Sequence, residues 1–282
     1  MPNEVLHWLQ VEQGGWYIDC TLGGGGHTQM LLNNGAHVVA FDWDEAAITQ
    51  AKNAFQHELQ NGHLVLIRES FAQLGAIRTD PILKEVSIKG VLFDFGTSTD
   101  QLMNADRGFS FKGDGPLDMR MDNRRGVTAA DLIKFLAEKE LVDVLESASE
   151  HDARKIAKIL KRELPTTTRQ LADLVTRAKG GRHTRLNPAT KTFMALRIAV
   201  NTEMEEIKSA LPIALEMLAS GGKIVTIAFH DGEDRIVKQA FDEWGATGAG
   251  EVMTTSPITP SETEVFHNPR SRSAKVRVFA NT

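Results

Sequence analysis

The stretch "DCTLGGGGHTQMLLNNGAHVVAFDWD", Asp19 to Asp44, decides how this 282-residue chain is organised. An apolar run leads into four glycines, and a short helical pattern with Gly35 as its C-cap precedes a second apolar run ending at Asp42. A strand, a glycine-rich turn, a helix and a strand ending in an acid form a half-site for adenosine. The backbone approaches the ligand at the glycines, and the acid accepts hydrogen bonds from ribose hydroxyls. The pattern therefore predicts an adenosine-bearing ligand at this turn.

The composition is that of an ordinary soluble protein, with 41% hydrophobic and 24% charged residues. No apolar run approaches the ~18–20 residues that span a bilayer, and the N-terminus lacks the pattern of a signal peptide. The single cysteine, Cys20, can form neither an intrachain disulfide nor a thiolate zinc site, so we expect a cytoplasmic protein. The net charge of −5 argues against a general nucleic-acid binder, although residues 154–169, 179–197 and 267–279 are locally basic.

Strand and helix patterns alternate over residues 16–96, which predicts a parallel sheet covered on both faces. The alternation stops at a loop block followed by three helical patterns, the first of them capped by Thr128, and it resumes afterwards. We expect Pro212 to break or kink the long helical stretch that follows the insertion. The predicted fold is therefore α/β, with a Rossmann-like domain from residues 1–103 and 188–282 and an inserted all-helical domain at 104–187.

The glycine loop does not match the dinucleotide fingerprint G-x-G-x-x-G. Counted from Gly23, the third glycine falls on Thr28. An acid, three residues and then clustered glycines fit S-adenosylmethionine better, since that ligand has no pyrophosphate. Two other interpretations stay open. The glycines can serve a tight turn alone, and Asp42 can be a helix cap, although Asp44 is also placed to do that.

The fourth strand, in "VLFDFGTSTDQL", carries Asp94 at its carboxyl end, where ligands bind in open α/β sheets. A polar residue at this point faces the target nitrogen in amino-group methyltransferases. Those enzymes often carry D/N/S-P-P-Y/F there, and this chain has "DFGT" instead. Asp94 is our candidate acceptor for a hydrogen bond from an attacking amine. A buried aspartate with a purely structural role is the alternative.

Four further stretches are specific: "ADRGFSFKGDGPLDMRMD" (105–122), "NPATKTFMALRIAVNTE" (187–203), "IAFHDGEDRIVKQAF" (227–241) and "NPRSRSAKVRV" (268–278). Together with the glycine loop and "DFGTSTDQL", over about residues 4–280, they resemble the MraW/RsmH family of S-adenosylmethionine-dependent methyltransferases. Members of that family methylate the exocyclic amine (N-4) of a cytidine in the decoding region of small-subunit ribosomal RNA. The resemblance implies a class I methyltransferase sheet with S-adenosyl-L-methionine as cofactor, and an inserted helical domain that recognises RNA.

The resemblance also implies which residues contact the cofactor: Gly25, Gly26, His27, Asp42, Phe71, Asp94 and Gln101. An aromatic residue after the third strand, such as Phe71, can stack on a purine, although a core phenylalanine is the alternative. No catalytic metal is expected, because the histidines show no ligand spacing.

The target base must be reached in single-stranded or extruded form. The candidates for base contact are Phe109, Phe111, His230 and Asp231, with His230 also a candidate catalytic residue. The alternatives are a core role for the phenylalanines and a satisfied core histidine. The candidates for phosphate contact are Arg107, Arg120, Arg197, Arg270 and Arg272. For the first two of these, salt bridges to Asp114, Asp118 or Asp122 are the alternative.

The chain departs from the family pattern at two points beside the expected site. It reads "GTSTDQL" where G-V-S-S-P-Q-L is usual, and "FHDGEDR" where F-H-S-L-E-D-R is usual. Two rival functions therefore stay open: a methyltransferase of another RNA or of DNA, and a non-catalytic ribosome-assembly factor. The sequence does not fix the oligomeric state, and a homodimer is one of the possibilities.

Overall fold

A computed structural model describes residues 1–80, 83–181 and 187–282. The chain divides into two compact units. We call Met1–Gly96 with Met204–Thr282 the sheet unit, and Thr97–Glu203 the helical unit. The helical unit therefore begins at Thr97 rather than at 104, and it ends at Glu203 rather than at 187.

The sheet unit contains, within the described residues, a seven-stranded sheet in the order β3-β2-β1-β4-β5-β7-β6. The strands are β1 (Trp16–Asp19), β2 (His37–Phe41), β3 (Leu64–Ile67), β4 (Ile88–Asp94), β5 (Leu218–Ala228), β6 (Gly250–Val252) and β7 (Lys275–Asn281). Strands β1 to β5 are parallel, and β7 runs antiparallel to both β5 and β6. The direction of winding reverses between β1 and β4, which makes their carboxyl ends the expected ligand crevice.

Helices cover both faces of this sheet, as the near-continuous apolar strands require. They are α1 (Pro2–Leu9), α2 (Gly26–Asn33), α3 (Glu45–Ala54), α4 (Gln56–Gln60), α11 (Glu203–Met217), α12 (Asp231–Thr247) and α13 (Glu262–His267). Short 3₁₀ helices span Phe71–Thr79 and Pro269–Ser273. Tyr17 and Ile18, neighbours in β1, belong to hydrophobic clusters on opposite faces of the sheet. The two-faced burial confirms the predicted α/β class.

The predicted local signals of the first half recur in the structure. Gly35 follows α2 with φ +81°, the left-handed conformation that ends helices. The apolar residues Ile48 and Ala51 of α3 are buried, and so is Phe55 directly after the helix. Both elements therefore form from sequence patterns that are local to them.

The helical unit comprises α5 (Thr99–Met103), α6 (Ala129–Phe135), α7 (Glu138–Ser147), α8 (Ala153–Glu163), α9 (Thr168–Ala178) and α10 (Thr190–Asn201). Thr128 caps α6 with Asp131 in a capping box, as predicted. The single helical pattern beginning there is nevertheless two helices. Lys161 Nζ donates to three main-chain carbonyls at the end of α6, among them that of Ile133, and so ends the helix.

The long helical stretch breaks at Thr202 rather than at Pro212. Thr202 has φ +51°, while Pro212 lies inside α11. The Asn201 side chain accepts from Met121 N–H and donates to the Met119 carbonyl, both at 2.8 Å, which fixes the end of α10 within the helical unit. Because α10 also packs on α6 and α7, it belongs to the insertion and moves the boundary beyond 187.

No helix in the described ranges is long and apolar enough to cross a membrane. Part of the basic stretch 179–197, residues 182–186, lies outside the described residues.

Candidate active site

Three aspartates meet at one edge of the sheet because parallel strands present their carboxyl ends together. Asp19 is the last residue of β1 and pairs in register with Leu92 of β4. Asp94 ends β4, and Asp42 follows β2 directly. Three carboxylates therefore lie at the carboxyl ends of strands on either side of the point where the direction of winding reverses, between β1 and β4.

Asp19 is fully buried and ties the glycine loop to β1. Its Oδ2 accepts from Thr28 Oγ1 of α2 at 2.7 Å, and its Oδ1 accepts from Thr21 N–H at 3.1 Å. Sequence reasoning noticed this acid only as the start of the glycine motif. The contacts make it a positioning residue, since both oxygens hold the loop that a ligand would contact.

The glycine loop has the geometry of a tight turn and also leaves room for a ligand. Gly23 and Gly25 have φ +48° and +78°, and a Cβ on Gly25 would lie 2.9 Å from the Phe55 ring. A Cβ on Gly24 or Gly26 would meet no atom within 4 Å. Two glycines therefore satisfy the turn, and the other two leave open space beside the backbone where a ligand can approach.

Replacing Gly25 by alanine should destabilise the protein by about 1–3 kcal/mol, because the new side chain is strained at positive φ and clashes with a buried ring. Urea unfolding measures this difference. Gly24→Ala is the matched control, since its Cβ enters open space, and it should unfold like the wild type. Equal stability of the two variants would show that the loop relaxes around Gly25.

Asp42 holds the loop from the other side. Its carboxylate accepts from Gly23 N–H and from Asp44 N–H, each at 2.8 Å. Burial raises the pKa of Asp42 to about 6, although these two backbone hydrogen bonds oppose the rise. Asp44 is the N-cap of α3, accepting from Ala46 N–H at 3.0 Å. The helix-cap interpretation thus applies to Asp44, and Asp42 keeps lone pairs for a ligand.

Asp94 is the most unusual group at this edge. Its N–H donates to Thr21 Oγ1 at 2.7 Å, and its Oδ2 lies 3.5 Å from His27 Nδ1. Its Oδ1 is buried and accepts no hydrogen bond within the described part of the chain. Burial raises the pKa of Asp94 to about 6, and the nearby His27 offsets part of that rise. A buried acceptor without a donor indicates a place for an N–H group of a ligand.

His27→Asn should move the acid limb of the activity profile to higher pH. The limb reflects protonation of Asp94, and removing His27 removes a charge that lowers the pKa of that carboxyl. The measurement is kcat/KM between about pH 5 and 8.5. His63→Asn makes the same chemical change at an exposed position before β3 and should leave the limb in place. If the acid limb stayed at the same pH in His27→Asn, His27 would have no influence on the ionisation of Asp94.

Phe71 lies in an aromatic cluster beside the edge. Its ring centroid is 6.3 Å from that of Trp43 and 5.7 Å from that of Phe93. Phe71 is partly exposed, whereas Phe93 is fully buried. The core interpretation therefore holds for one face of the ring, and stacking on adenine stays a prediction. Sequence reasoning missed Trp43, which its position directly after a strand-end acid could have signalled.

His230 is the N-cap of α12, and its catalytic or base-contact role stays a prediction. Its Nδ1 accepts from Gly232 N–H at 3.1 Å and from Glu233 N–H at 3.4 Å, which occupies the basic lone pair. Its Nε2 lies 3.1 Å from Oε1 of the buried Glu233. The satisfied-histidine alternative therefore holds for Nδ1, whereas Nε2 is buried and makes no hydrogen bond within the described residues. Asp231 is exposed and pairs with Lys275 at 2.6 Å, which lowers the pKa of Asp231.

Three arginines predicted to contact phosphate already have partners inside the helical unit. Arg120 pairs with Asp118 through two contacts of 2.8 Å, as the salt-bridge alternative anticipated. Arg197 pairs with the buried Glu203 at 2.8 and 2.9 Å. Arg107 donates to two main-chain carbonyls of the same loop. Their guanidinium groups fix the insertion, and phosphate contact by these three is not supported.

The remaining predicted residues of the helical unit are also engaged in packing. Phe109 is buried, and Phe111 stands edge-on to Phe193 with centroids 5.3 Å apart. The Gln101 side chain accepts from Ser98 N–H at 3.1 Å in the capping box of α5. A core role is thus clear for Phe109, while substrate contact by Phe111 and cofactor contact by Gln101 stay predictions.

Arg270 and Arg272 differ from these three arginines because both are exposed. They lie in the sheet unit, on the 3₁₀ helix Pro269–Ser273 that precedes β7.

The residues 1–80, 83–181 and 187–282 contain no group of three His, Cys, Asp or Glu side chains arranged to hold a metal ion.

The strand order, with β7 antiparallel between β5 and β6, and a glycine loop opposite an acid at the tip of β2, define a class I methyltransferase that uses S-adenosyl-L-methionine. The residues fit that cofactor. Gly24 and Gly26 border open space, and Asp42 retains acceptor capacity.

The chain belongs to the MraW methylase family, whose model matches residues 1–282. A protein of Acidobacterium capsulatum called ribosomal RNA small subunit methyltransferase H is 42% identical, over 98% of this chain and 95% of its own length. A protein of the same name from Sulfurihydrogenibium sp. is 39% identical, over 99% and 96%. Among solved structures, the chain is similar to an rRNA methylase from Streptococcus thermophilus. The alignment covers 100% of this chain and 96% of the methylase chain, with 11% identity and a TM-score of 0.47.

Proposed function

We propose that the protein methylates the exocyclic N-4 amine of a cytidine in the decoding region of small-subunit ribosomal RNA. The relatives named above support the RNA class, and the motif resemblance supports the cytidine amine. The observation that carries the chemistry is Asp94, whose Oδ1 is buried at the end of β4 and accepts no hydrogen bond from the described residues.

For this reaction the protein has mainly to align the cofactor with the amine and to stabilise the charge that develops. S-adenosyl-L-methionine, when bound, would supply an electrophilic methyl group for in-line displacement, in which the sulfonium leaves as a neutral thioether and the amine proton passes to water. The cytidine amine is a poor nucleophile because its lone pair is delocalised into the ring. Asp94 Oδ1 accepts a hydrogen bond from that amine, which favours tetrahedral geometry at the nitrogen and stabilises its developing positive charge. His27 lies beside Asp94 and opposes the rise in the pKa of that carboxyl, and alignment by the surrounding loop supplies several kcal/mol more.

The helical unit is proposed as the part that recognises folded RNA. Its helix α8 exposes four basic side chains, Arg154, Lys155, Lys158 and Arg162, of which Lys155 pairs with Asp152 and Arg162 with Glu163, each at 2.8 Å on the surface. Such a surface supplies sequence-independent phosphate contacts. It predicts a preference for assembled small subunits over bare oligonucleotides, because phosphates must be arranged in space to meet one helix face.

A transfer assay tests the proposal. Labelled S-adenosyl-L-methionine is supplied with small ribosomal subunits from a strain lacking the endogenous activity, and the modified nucleoside is mapped by mass spectrometry. Label on a cytidine amine in the decoding region is the expected result.

Two outcomes would contradict the proposal. Label on another nucleoside, or on bare DNA, would identify a different substrate. Measurable cofactor binding without transfer to any subunit would favour the assembly-factor alternative, and would direct attention to the departures at Asp100 and Asp231.

A further inference from the structure

An exposed aromatic side chain shortly precedes, in the sequence, the two exposed arginines of the sheet unit. Phe266, near the end of α13, has 82% of its surface exposed. Arg270 and Arg272 follow on the next short helix, and both are exposed. An isolated phenylalanine on a surface is common. Here, however, the phenylalanine is close in sequence to two exposed arginines, in the segment that leads into β7.

The segment begins β7 at the carboxyl ends of the parallel strands, where Asp94 lies. Because β7 is antiparallel, its first residue, Lys275, pairs with Ala228 at the carboxyl end of β5. The preceding residue of β5, Ile227, pairs with Asp94 of β4. Neighbouring strands are ~4.8 Å apart, so the start of β7 lies about 10 Å from the strand that carries Asp94. The segment that ends at Lys275 therefore emerges beside the candidate active site.

The segment is held in place by its own contacts. Glu264 accepts from the N-terminal ammonium of Met1 at 3.3 Å, and its main-chain carbonyl accepts from Asn268 N–H at 2.7 Å. Ser271 is buried, and its hydroxyl donates to the Asn268 carbonyl at 2.8 Å. Ala274 N–H donates to the Ser271 carbonyl at 2.7 Å. A fixed support of this kind lowers the entropy that Phe266 would lose on contact with a ligand.

The part of the segment that follows α13 has a charge that complements a polyanion, although α13 itself carries Glu262 and Glu264. Residues 267–279 contain four Lys/Arg and no Asp/Glu. Lys275 and Arg277 pair with acids of α12, Lys275 at 2.6 Å from Asp231 and Arg277 at 2.6 Å from Asp234. Arg270 and Arg272 are exposed, and both add positive charge to the surface of this segment.

We propose that Phe266 stacks on an unpaired base of the substrate RNA while Arg270 and Arg272 contact its backbone. An aromatic platform flanked by arginines suits single-stranded RNA, since every base has a π-face and every nucleotide carries a phosphate. The inference rests on the proposed function for its choice of RNA. It adds a contact outside the cofactor site that holds the strand entering the catalytic edge.

Binding measurements without cofactor test this contact independently of turnover. The probes are small ribosomal subunits lacking the modification and a short single-stranded RNA of the decoding region. Phe266→Ala should weaken binding by about tenfold or more, and Phe266→Trp should restore it, because base stacking needs a ring. Affinity for S-adenosyl-L-methionine should stay unchanged in both variants, which verifies that they are folded.

The arginine contact has its own readout in the salt dependence of binding. Arg272→Ala should reduce the slope of log K against log salt by about 0.7, the value for one phosphate contact on a single strand. Lys84→Ala is the matched control. Lys84 is exposed and precedes β4, at the opposite edge of the sheet, and its removal should leave the slope unchanged.

Three results would overturn the inference. One is equal RNA affinity in the wild type and the Phe266 variants, and another is an unchanged slope in Arg272→Ala. The third is a change in oligomeric state on Phe266→Ala with RNA affinity retained, which would assign the ring to an interface between copies. Ring-dependent RNA binding without cytidine methylation would sustain this inference while refuting the proposed function.

Discussion

Asp94→Ala should reduce the kcat of methyl transfer by about 10²–10³-fold, the loss that follows removal of one group aimed at developing charge. Asp94 acts mainly in the transition state, because positive charge appears on the amine only as the methyl group is transferred. The affinity for S-adenosyl-L-methionine should change by less than about tenfold, since Asp42 and the glycine loop remain. Single-turnover kinetics and cofactor titration measure the two quantities separately.

Asp94→Asn is the matched control, because it keeps the shape and an acceptor oxygen but removes the charge. Its kcat should lie between those of the wild type and the alanine variant. A wild-type rate in Asp94→Ala would remove this residue from the mechanism.

The asparagine variant also tests the burial of the carboxyl group. Because burial raises the pKa of Asp94 from 3.8 to about 6, ionisation in the folded state is unfavourable. The carboxyl adds no penalty below its unfolded pKa, and the penalty grows until the pH passes about 6. Asp94→Asn should therefore be more stable than the wild type at pH 8, by about 1–3 kcal/mol, and the difference should vanish below about pH 4. Urea unfolding at the two pH values measures it.

Asp42→Ala should weaken the binding of S-adenosyl-L-methionine by about a hundredfold. In the expected cofactor complex, the carboxylate offers the ribose charge-assisted hydrogen bonds, each contributing about 1.5–3 kcal/mol. It also fixes the loop through Gly23 N–H at 2.8 Å, so its removal loosens the residues that face the cofactor. Isothermal titration gives the affinity directly.

Asp44→Ala separates this role from helix capping. Asp44 caps α3, and its loss should lower the free energy of unfolding by about 1 kcal/mol with little effect on cofactor affinity. Equal losses of affinity in the two variants would show that Asp42 acts through the loop alone.

The parts of the site that could be predicted lie where local rules apply. Asp42 and Asp94 end strands whose apolar runs are visible in the sequence, and parallel strands bring such ends to one edge. The glycine motif likewise predicts a turn, since left-handed backbone conformations need glycine. The family resemblance then indicated S-adenosylmethionine as the cofactor. The local pattern alone was also compatible with glycines that serve only a tight turn.

The parts that could not be predicted depend on partners distant in sequence or on geometry that no pattern encodes. Asn201 bonds to Met119 and Met121, residues some eighty positions earlier, and so extends the helical unit beyond its expected end. His230 looked like a pocket residue, yet its ring lies over the first turn of its own helix. Neither orientation follows from residue type.

The sequence alone determined the α/β class, the cofactor loop and the two acids at strand ends, because periodicity and strand termini are properties of short segments. Only the tertiary structure decided which charged side chains were already neutralised. Arg197 and Arg272 read alike in the sequence, but one is held by the buried Glu203 and the other is exposed. An ion pair forms where the fold brings two groups within a few ångströms, and that distance is a property of the packed chain.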